Sequence, residues 1–298
     1  MRVLVTGANG FIGRALVKRL SNSNVDVLRA VRGGGVVPNQ GLDAVIHLAA
    51  RAHVTRETAR DPLAVFRANN VQPTLKLFGE CQKYGVRRFV FVSSIGVNGI
   101  ATTNRPFRHD DVPHPTEPYA ISKWEAECGL QELSAGGATE LVIVRPVLVY
   151  GPHAKGNFLR LLRLVRSGLP LPFGSITAPR SILSLTRLCN LLQLSIERVE
   201  AAGQVFLAAD LETVSTRDLV VAMAGLMKRP SRLISVPPKL LSALGDIAGF
   251  GSEVRRLTSS LVVDASRTRG LLGWDSESNS NSDMKTMIDT FTSENHVA

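Results

Sequence analysis

Tyr119-Ala120-Ile121-Ser122-Lys123 sets a phenol and an ammonium four residues apart. On a helix, positions i and i+4 share a face. A lysine ammonium held there favours the phenolate and lowers the phenol's pKa. Such a phenol can exchange a proton with a sugar or alcohol oxygen while a hydride moves to or from a nicotinamide. The lysine can also hold the nicotinamide ribose. The spacing alone is common, but its context is specific: Ser93-Ser94 follow the apolar run Arg88–Val92. Parallel α/β sheets bind ligands beyond the C-terminal ends of their strands, where a serine hydroxyl can hydrogen-bond the reacting oxygen.

A second constellation stands near Met1. Val3-Leu4-Val5-Thr6-Gly7-Ala8-Asn9-Gly10-Phe11-Ile12-Gly13 reads as a strand, a glycine loop and a helix start. Gly7 permits the tight turn, Gly10 lets the backbone approach a pyrophosphate, and Gly13 lets the helix pack close to the sheet. The helix N-terminus adds amide donors and the positive end of its dipole. At the end of the second strand, an acid would bind the ribose hydroxyls of NAD, and a basic residue would accommodate the extra phosphate of NADP. The chain has Arg29-Ala30-Val31-Arg32-Gly33 there, with no acid. Arg32 is the phosphate candidate and favours NADP over NAD; the plainer reading is a solvated surface arginine.

The elements that must position these groups alternate. Strands are expected at Arg2–Thr6, Val25–Val31, Ala44–Leu48, Arg88–Val92 and Leu141–Val144. Helices are expected at Phe11–Leu20, at Leu63–Tyr84 with a kink at Pro73, and at Tyr119–Leu133. Continuous apolar strands between helices specify a Rossmann-like, doubly wound parallel sheet covered on both faces. The pattern changes near Gly151. Helical stretches (Phe158–Ser167, Arg217–Met227, Pro238–Ile247) then alternate with short apolar runs (Gln204–Ala208, Arg232–Val236). The reading is a dinucleotide-binding domain over residues 1–150 and a mostly helical substrate lobe over 151–298. The lobe packs on the first domain, with the chain able to pass between them. Ser276–Ser282 is read as a surface loop before a last helix.

Composition narrows the classes. At 44% hydrophobic and 20% charged, the chain is an ordinary globular protein. With 5% aromatic residues it lacks the stacking platforms of a single-strand nucleic-acid binder. The net charge of +10 has three readings: a basic solvated surface, an anionic small substrate, or nucleic acid or an anionic membrane. The basic residues are scattered, which argues against the third. Cys81, Cys128 and Cys189 share no metal-like spacing and fit a reducing compartment. No signal peptide and no apolar run near the ~20 residues of a membrane span are visible, so a cytoplasmic protein is expected. His109-Asp110-Asp111 with His114 matches no zinc spacing, and no metal is expected. No Gly-x-Ser-x-Gly elbow supports a hydrolase. Arg160, Arg163 and Arg166 read as a solvated helix face.

Taken together, the chain resembles the extended short-chain dehydrogenase/reductases, in particular the NAD(P)-dependent nucleotide-sugar epimerases and 4-ketoreductases of bacterial O-antigen and surface polysaccharide synthesis. Besides the glycine loop and the Tyr/Lys pair, the resemblance rests on His47-Leu48-Ala49-Ala50, on Asn69-Asn70-Val71 with Thr74, and on Ser93–Gly99. It rests further on Arg145-Pro146, Val149-Tyr150-Gly151-Pro152 and Leu271-Leu272-Gly273-Trp274. It implies a catalytic triad of Ser94, Tyr119 and Lys123. The dinucleotide would be held by Gly7, Asn9, Gly10, Phe11, Ile12, Gly13, Arg32, Leu48, Ala49, Ala50, Asn70, Ser93, Tyr119, Lys123 and Pro146. Asn70 would support the active site and Pro146 would lie beside the nicotinamide. The substrate would be a UDP-sugar altered at C4, by 4-epimerisation or 4-keto reduction. Ser94, Tyr119, Asn157, Phe158 and Arg180 would contact it, the guanidinium of Arg180 suiting a diphosphate. A homodimer fits the same resemblance. Family 4,6-dehydratases carry Asp-Glu directly after the Ser/Thr; Ile95 and Gly96 stand here, which argues against dehydration.

The chain departs from the family in one place. Only Gly33–Leu42 separate Arg32 from Asp43. A parallel crossover needs about a dozen residues or more, so one strand-helix unit is expected to be missing there, with loss of a wall near the adenine. Pro73 and Thr186 also stand where the family commonly has glycine and aspartate. The shortened segment motivates a second reading, a non-catalytic dinucleotide-binding regulator or assembly partner.

Overall fold

The structure is a computed structural model that describes residues 1–30, 41–52, 60–154, 156–247, 249, 251–274 and 280–294. Arg32, most of the shortened 33–42 segment and residues 275–279 lie outside the described residues.

Apolar runs form the strands as expected. The first half contains β1 (Arg2–Thr6), α1 (Phe11–Ser21), β2 (Asp26–Ala30), β3 (Ala44–His47), α2 (Pro62–Asn70), α3 (Gln72–Lys83), β4 (Arg88–Val92), α4 (Pro118–Ser134) and β5 (Glu140–Pro146). The strand order in the sheet is β2-β1-β3-β4-β5, and every pair is parallel. Strands β3 and β4 are buried along their whole length, as a sheet covered on both faces requires. Among the described residues β2 is one edge, with Asp26 and Arg29 exposed.

The expected kink at Pro73 is a full break. Helix α2 ends at Asn70 and α3 begins at Gln72, with Val71 between them. Proline lacks an amide proton and is tolerated only in a helix's first turn. Pro73 therefore starts a helix rather than bending one.

The second half contains β6 (Leu148–Tyr150), α5 (Asn157–Ser167), β7 (Arg180–Ser184), α6 (Leu185–Glu197), β8 (Val205–Ala208), β9 (Thr213–Val214), α7 (Thr216–Leu226), α8 (Pro238–Ile247), α9 (Gly251–Thr258), α10 (Ser266–Leu272) and α11 (Ser280–Glu294). One expectation needs correction here. The run Gln204–Ala208 was placed in the second lobe, yet β8 pairs parallel with β5 and becomes the sixth strand of the main sheet. It is the far edge of that sheet, yet it is buried from Phe206 to Ala208 because its side chains lie in the core beside α6 and Trp274. Arg232–Val236 forms no strand; Leu233 makes an isolated bridge with Leu171. Strands β6, β7 and β9 form a small separate sheet.

One apolar core lies between the main sheet and α1 and α6, with Trp274 at 1% exposure inside it. Another lies on the opposite face, where Phe78, Phe89, Ala126 and Leu130 meet. A third fills the second lobe around Phe158, Met223 and Met287.

Candidate active site

The glycine loop connects β1 to α1. Gly7 adopts φ +68°, open to glycine at little cost. A Cβ on Gly13 would lie 2.2 Å from the Gly7 carbonyl oxygen, so only glycine permits this approach of helix to loop. A Cβ on Gly7 would meet the Ala49 amide nitrogen at 2.9 Å, which sets the loop against the end of β3. Helix α1 begins at an uncapped Gly10 with no acid in its first turn, leaving its first amides free for an anion. Asn9 and Gly10 are exposed; Phe11 and Ile12 are half-buried beneath them.

The segment Leu48–Ala50 continues β3 as the wall beside this cradle, with Ala49 exposed and Leu48 and Ala50 half-buried. Ser93 stands at the end of β4. Its amide donates to the Val144 carbonyl at 2.7 Å, but its hydroxyl is buried and unpartnered among the described residues. Buried hydroxyls are normally satisfied. The cradle that a Cβ would fill, the uncapped helix start and this orphaned hydroxyl all fit a dinucleotide.

Ser94 caps a short turn, its hydroxyl accepting from the Gly96 amide at 3.2 Å. That turn is pressed onto the start of α4: a Cβ on Gly96 would sit 3.2 Å from the Ala120 methyl. The segment after Ser94 thus packs on the residue that follows Tyr119. Tyr119 is half-buried, its ring edge-on to Phe66 at 5.9 Å. Lys123 is buried one turn further, its Nζ 4.0 Å from the centroid of Phe91. Pro146 ends β5.

The electrostatics differ from the expected pattern. Burial, rather than the lysine, dominates the phenol: desolvation pushes Tyr119 up to about 12. Desolvation also brings Lys123 down to about 7, with Glu127 opposing it. In the chain alone, burial therefore acts on both groups of the pair, raising the phenol and lowering the lysine.

Two buried networks lie around these residues. Glu127, one turn beyond Lys123, receives Arg145 at 2.5 Å, and Arg145 also donates to Asn98 Oδ1 at 3.0 Å. This joins α4, β5 and the segment after Ser94. The i+4 spacing from Lys123 to Glu127 was the sequence signal for it. Asn70 bridges two segments: its Oδ1 accepts from the Arg51 amide at 2.7 Å and its Nδ2 donates to the Ser122 hydroxyl at 3.0 Å. That hydroxyl donates to the Tyr119 carbonyl at 2.8 Å.

The second-lobe residues divide. Asn157 is exposed at the first position of α5, whose N-cap Gly156 leaves the helix start uncapped. Phe158, expected among the substrate contacts, has a buried side chain that is 1% exposed and packs on Tyr150 with ring centroids 5.8 Å apart. It lies on the apolar stripe of a strongly amphipathic helix, so only its backbone amide can serve a ligand. Arg180 donates to the carbonyls of Arg256 and, at 2.8 Å, Ser259; burial and the Arg256 cation lower its pKa. Arg256 pairs with Glu117, two residues before Tyr119, which places Arg180 and Arg256 near the start of α4. Thr186 donates to Asp283 at 3.1 Å.

The chain is 39% identical over 294 residues to a UDP-glucose 4-epimerase of Vibrio cholerae, covering 91% of this chain and 90% of that protein. It is 27% identical over 270 residues to the N-acetyl-alpha-D-glucosaminyl-diphospho-ditrans,octacis-undecaprenol 4-epimerase of Escherichia coli O157:H7, covering 83% and 78%. Its fold matches the crystal structure of UDP-glucuronic acid 4-epimerase from Bacillus cereus in complex with NAD, with a TM-score of 0.78, 21% identity, and coverage of 98% and 97%. Residues 3–207, from β1 through β8, match the model of the NAD dependent epimerase/dehydratase family. With that match across the sheet, the cradle and the Tyr/Lys helix, the chain belongs to the NAD dependent epimerase/dehydratase family.

Proposed function

We propose that the protein epimerises a UDP-sugar at C4 in nucleotide-sugar metabolism for surface polysaccharide, using a bound dinucleotide. The observation that carries this is the convergence of Ser94, Tyr119 and Lys123 beside a glycine cradle, supported by the 39% identity to a UDP-glucose 4-epimerase.

Each residue then has a task. The Ser94 hydroxyl holds the C4 oxygen by hydrogen bonding. Tyr119 exchanges the C4 hydroxyl proton through its phenolic oxygen. Lys123 holds the nicotinamide ribose and, when protonated, favours the phenolate. The Gly7–Gly13 loop and the first amides of α1 bind the pyrophosphate. Ser93 offers its unpaired hydroxyl to the dinucleotide, and Pro146 borders it. When bound, the oxidised nicotinamide supplies a hydride acceptor and a positive charge. That charge favours ionisation of a phenol whose pKa burial raises. Asn157, the Phe158 amide and Arg180 receive the diphosphate of the sugar nucleotide.

The end of β2 favours a second reading at the same carbon. Arg29 and Ala30 close the strand without a carboxylate, and Arg32 follows in sequence. That charge suits the 2′-phosphate of NADP, and NADPH would make the reaction a 4-keto reduction. Net consumption of NADPH supports reduction; turnover of UDP-hexose without net cofactor change supports epimerisation. Tyr119→Phe is expected to lower kcat by about a thousandfold or more in either direction. Full retention of turnover by this variant with the true substrate sinks the mechanism. A homodimer in the cytoplasm remains part of the proposal, and light scattering on the purified chain measures the first of these.

A further inference from the structure

His47 ends β3 and is 5% exposed, with hydrogen bonds at both ring nitrogens. The pattern assigns its tautomer. The Thr74 hydroxyl donates to the Asn70 carbonyl at 2.6 Å, so it accepts from His47 Nε2–H at 2.9 Å. Nδ1 is then the acceptor for the Thr6 hydroxyl at 2.7 Å. The Thr6 oxygen in turn accepts from the Ala49 amide at 3.2 Å. Burial drives the imidazole far towards neutrality, down to about 3, with Lys123 adding to the effect.

Both ends of this chain of bonds reach the site. On one side Thr6 directly precedes the glycine loop, and the Ala49 amide is the atom that a Gly7 Cβ would strike. On the other side Asn70 carries the path through Ser122 to the carbonyl of Tyr119. The imidazole also stacks on Phe91, 6.0 Å between centroids, and Lys123 Nζ lies 4.0 Å from the centroid of the same ring. An apolar residue would fill the same volume without the cost of burying two polar nitrogens. The cost is met only by a group that must bond in two directions.

We propose that His47 is a positioning residue that fixes the dinucleotide wall and the catalytic helix in one register, through Thr6 and Ala49 on one arm and Thr74, Asn70 and Ser122 on the other. It touches no reacting atom. The proposal rests on the dinucleotide-dependent reading of the site, and its test separates the two.

The experiment uses the full chain, without any sugar substrate. NAD and NADPH binding is measured by calorimetry, and the Tyr119 phenol is followed by NMR of protein labelled at the tyrosine ζ carbon. Tyr119→Phe assigns the resonance among the three tyrosines. Thr6→Val and Thr74→Val are near-isosteric and each removes one arm. Thr6→Val is expected to weaken dinucleotide binding about fivefold, as loss of one hydrogen bond implies, and to leave the Tyr119 resonance in place. Thr74→Val is expected to shift the Tyr119 resonance and its titration, with dinucleotide affinity within about twofold of wild type. His47→Phe is expected to do both, and His47→Gln, which keeps a donor towards Thr74, to restore the phenol signal alone. If wild type binds a dinucleotide but the two threonine variants lose only thermal stability, or change both readouts alike, the proposal is overturned. If wild type binds neither dinucleotide, the functional reading falls, and this coupling falls with it.

Discussion

Lys123 and His47 are neighbours whose burial acts on both stability and chemistry. A lysine that titrates near 7 when folded, against about 10.4 when unfolded, leaves the unfolded chain holding the extra proton between those values. Stability therefore rises with pH across that window, and the buried cation costs stability below it. Lys123→Met is expected to raise the stability at pH 7 by about 2 kcal/mol in urea unfolding, while turnover falls by at least about a hundredfold. A destabilised variant would show that the lysine is held by more than its burial implies. His47 works in the same sense at acid pH. Its folded value near 3 lies below the unfolded value of about 6.5, so the unfolded chain takes up a proton first as pH falls. Stability is lost from about pH 6.5 downwards, and His47→Gln is expected to flatten that part of the urea-midpoint profile. At this scale the reacting groups were legible in the sequence because their spacing is local. Their protonation was not. Whether Lys123 lowers Tyr119 depends on how far each is removed from water, which four residues of sequence do not encode.

Helix α4 carries Tyr119 and Lys123, and the Glu127–Arg145 pair ties it to β5. Both side chains are buried, so removing one leaves an uncompensated charge. Glu127→Gln is expected to destabilise the fold by about 3–5 kcal/mol, with a smaller loss when Arg145→Met is added. Urea unfolding of the single and double variants measures both, and a double variant as weak as the single would argue against the pair. Gly13→Ala tests the cradle: its methyl would collide with backbone at 2.2 Å, so NAD and NADPH binding should vanish with a lowered Tm. The strands and most helices were readable as runs and periodicities, and β4 and α8 have the bounds expected of them. The break at Val71 was half-readable, since Pro73 marks a discontinuity but not whether a helix bends or restarts. The burial of the Phe158 side chain was not read from its motif at a helix start, because the side chain follows the helix's apolar stripe into the core.

For the whole molecule, a cut near Gly151 does not separate two independent pieces. Strand β8 and helix α6 belong to the main sheet and its core, and Trp274 enters the same core from near the other end of the chain. Residues 1–150 produced alone are expected to lack cooperative unfolding, whereas 1–298 unfolds in a transition shared by the sheet and the second lobe; circular dichroism against urea makes the comparison. This return was the least legible part of the fold. A buried apolar run announces a strand, but which sheet it joins is decided by pairing across some sixty residues of sequence, from β5 to β8. The same crossing has a consequence for biosynthesis. As the chain emerges from a ribosome, the cradle and the Tyr/Lys helix are complete long before β8 appears, and until then β5 presents an open apolar edge of the kind that captures other strands. The interval between synthesis of residues 146 and 205 is therefore the period in which a nascent copy most needs shielding from its neighbours.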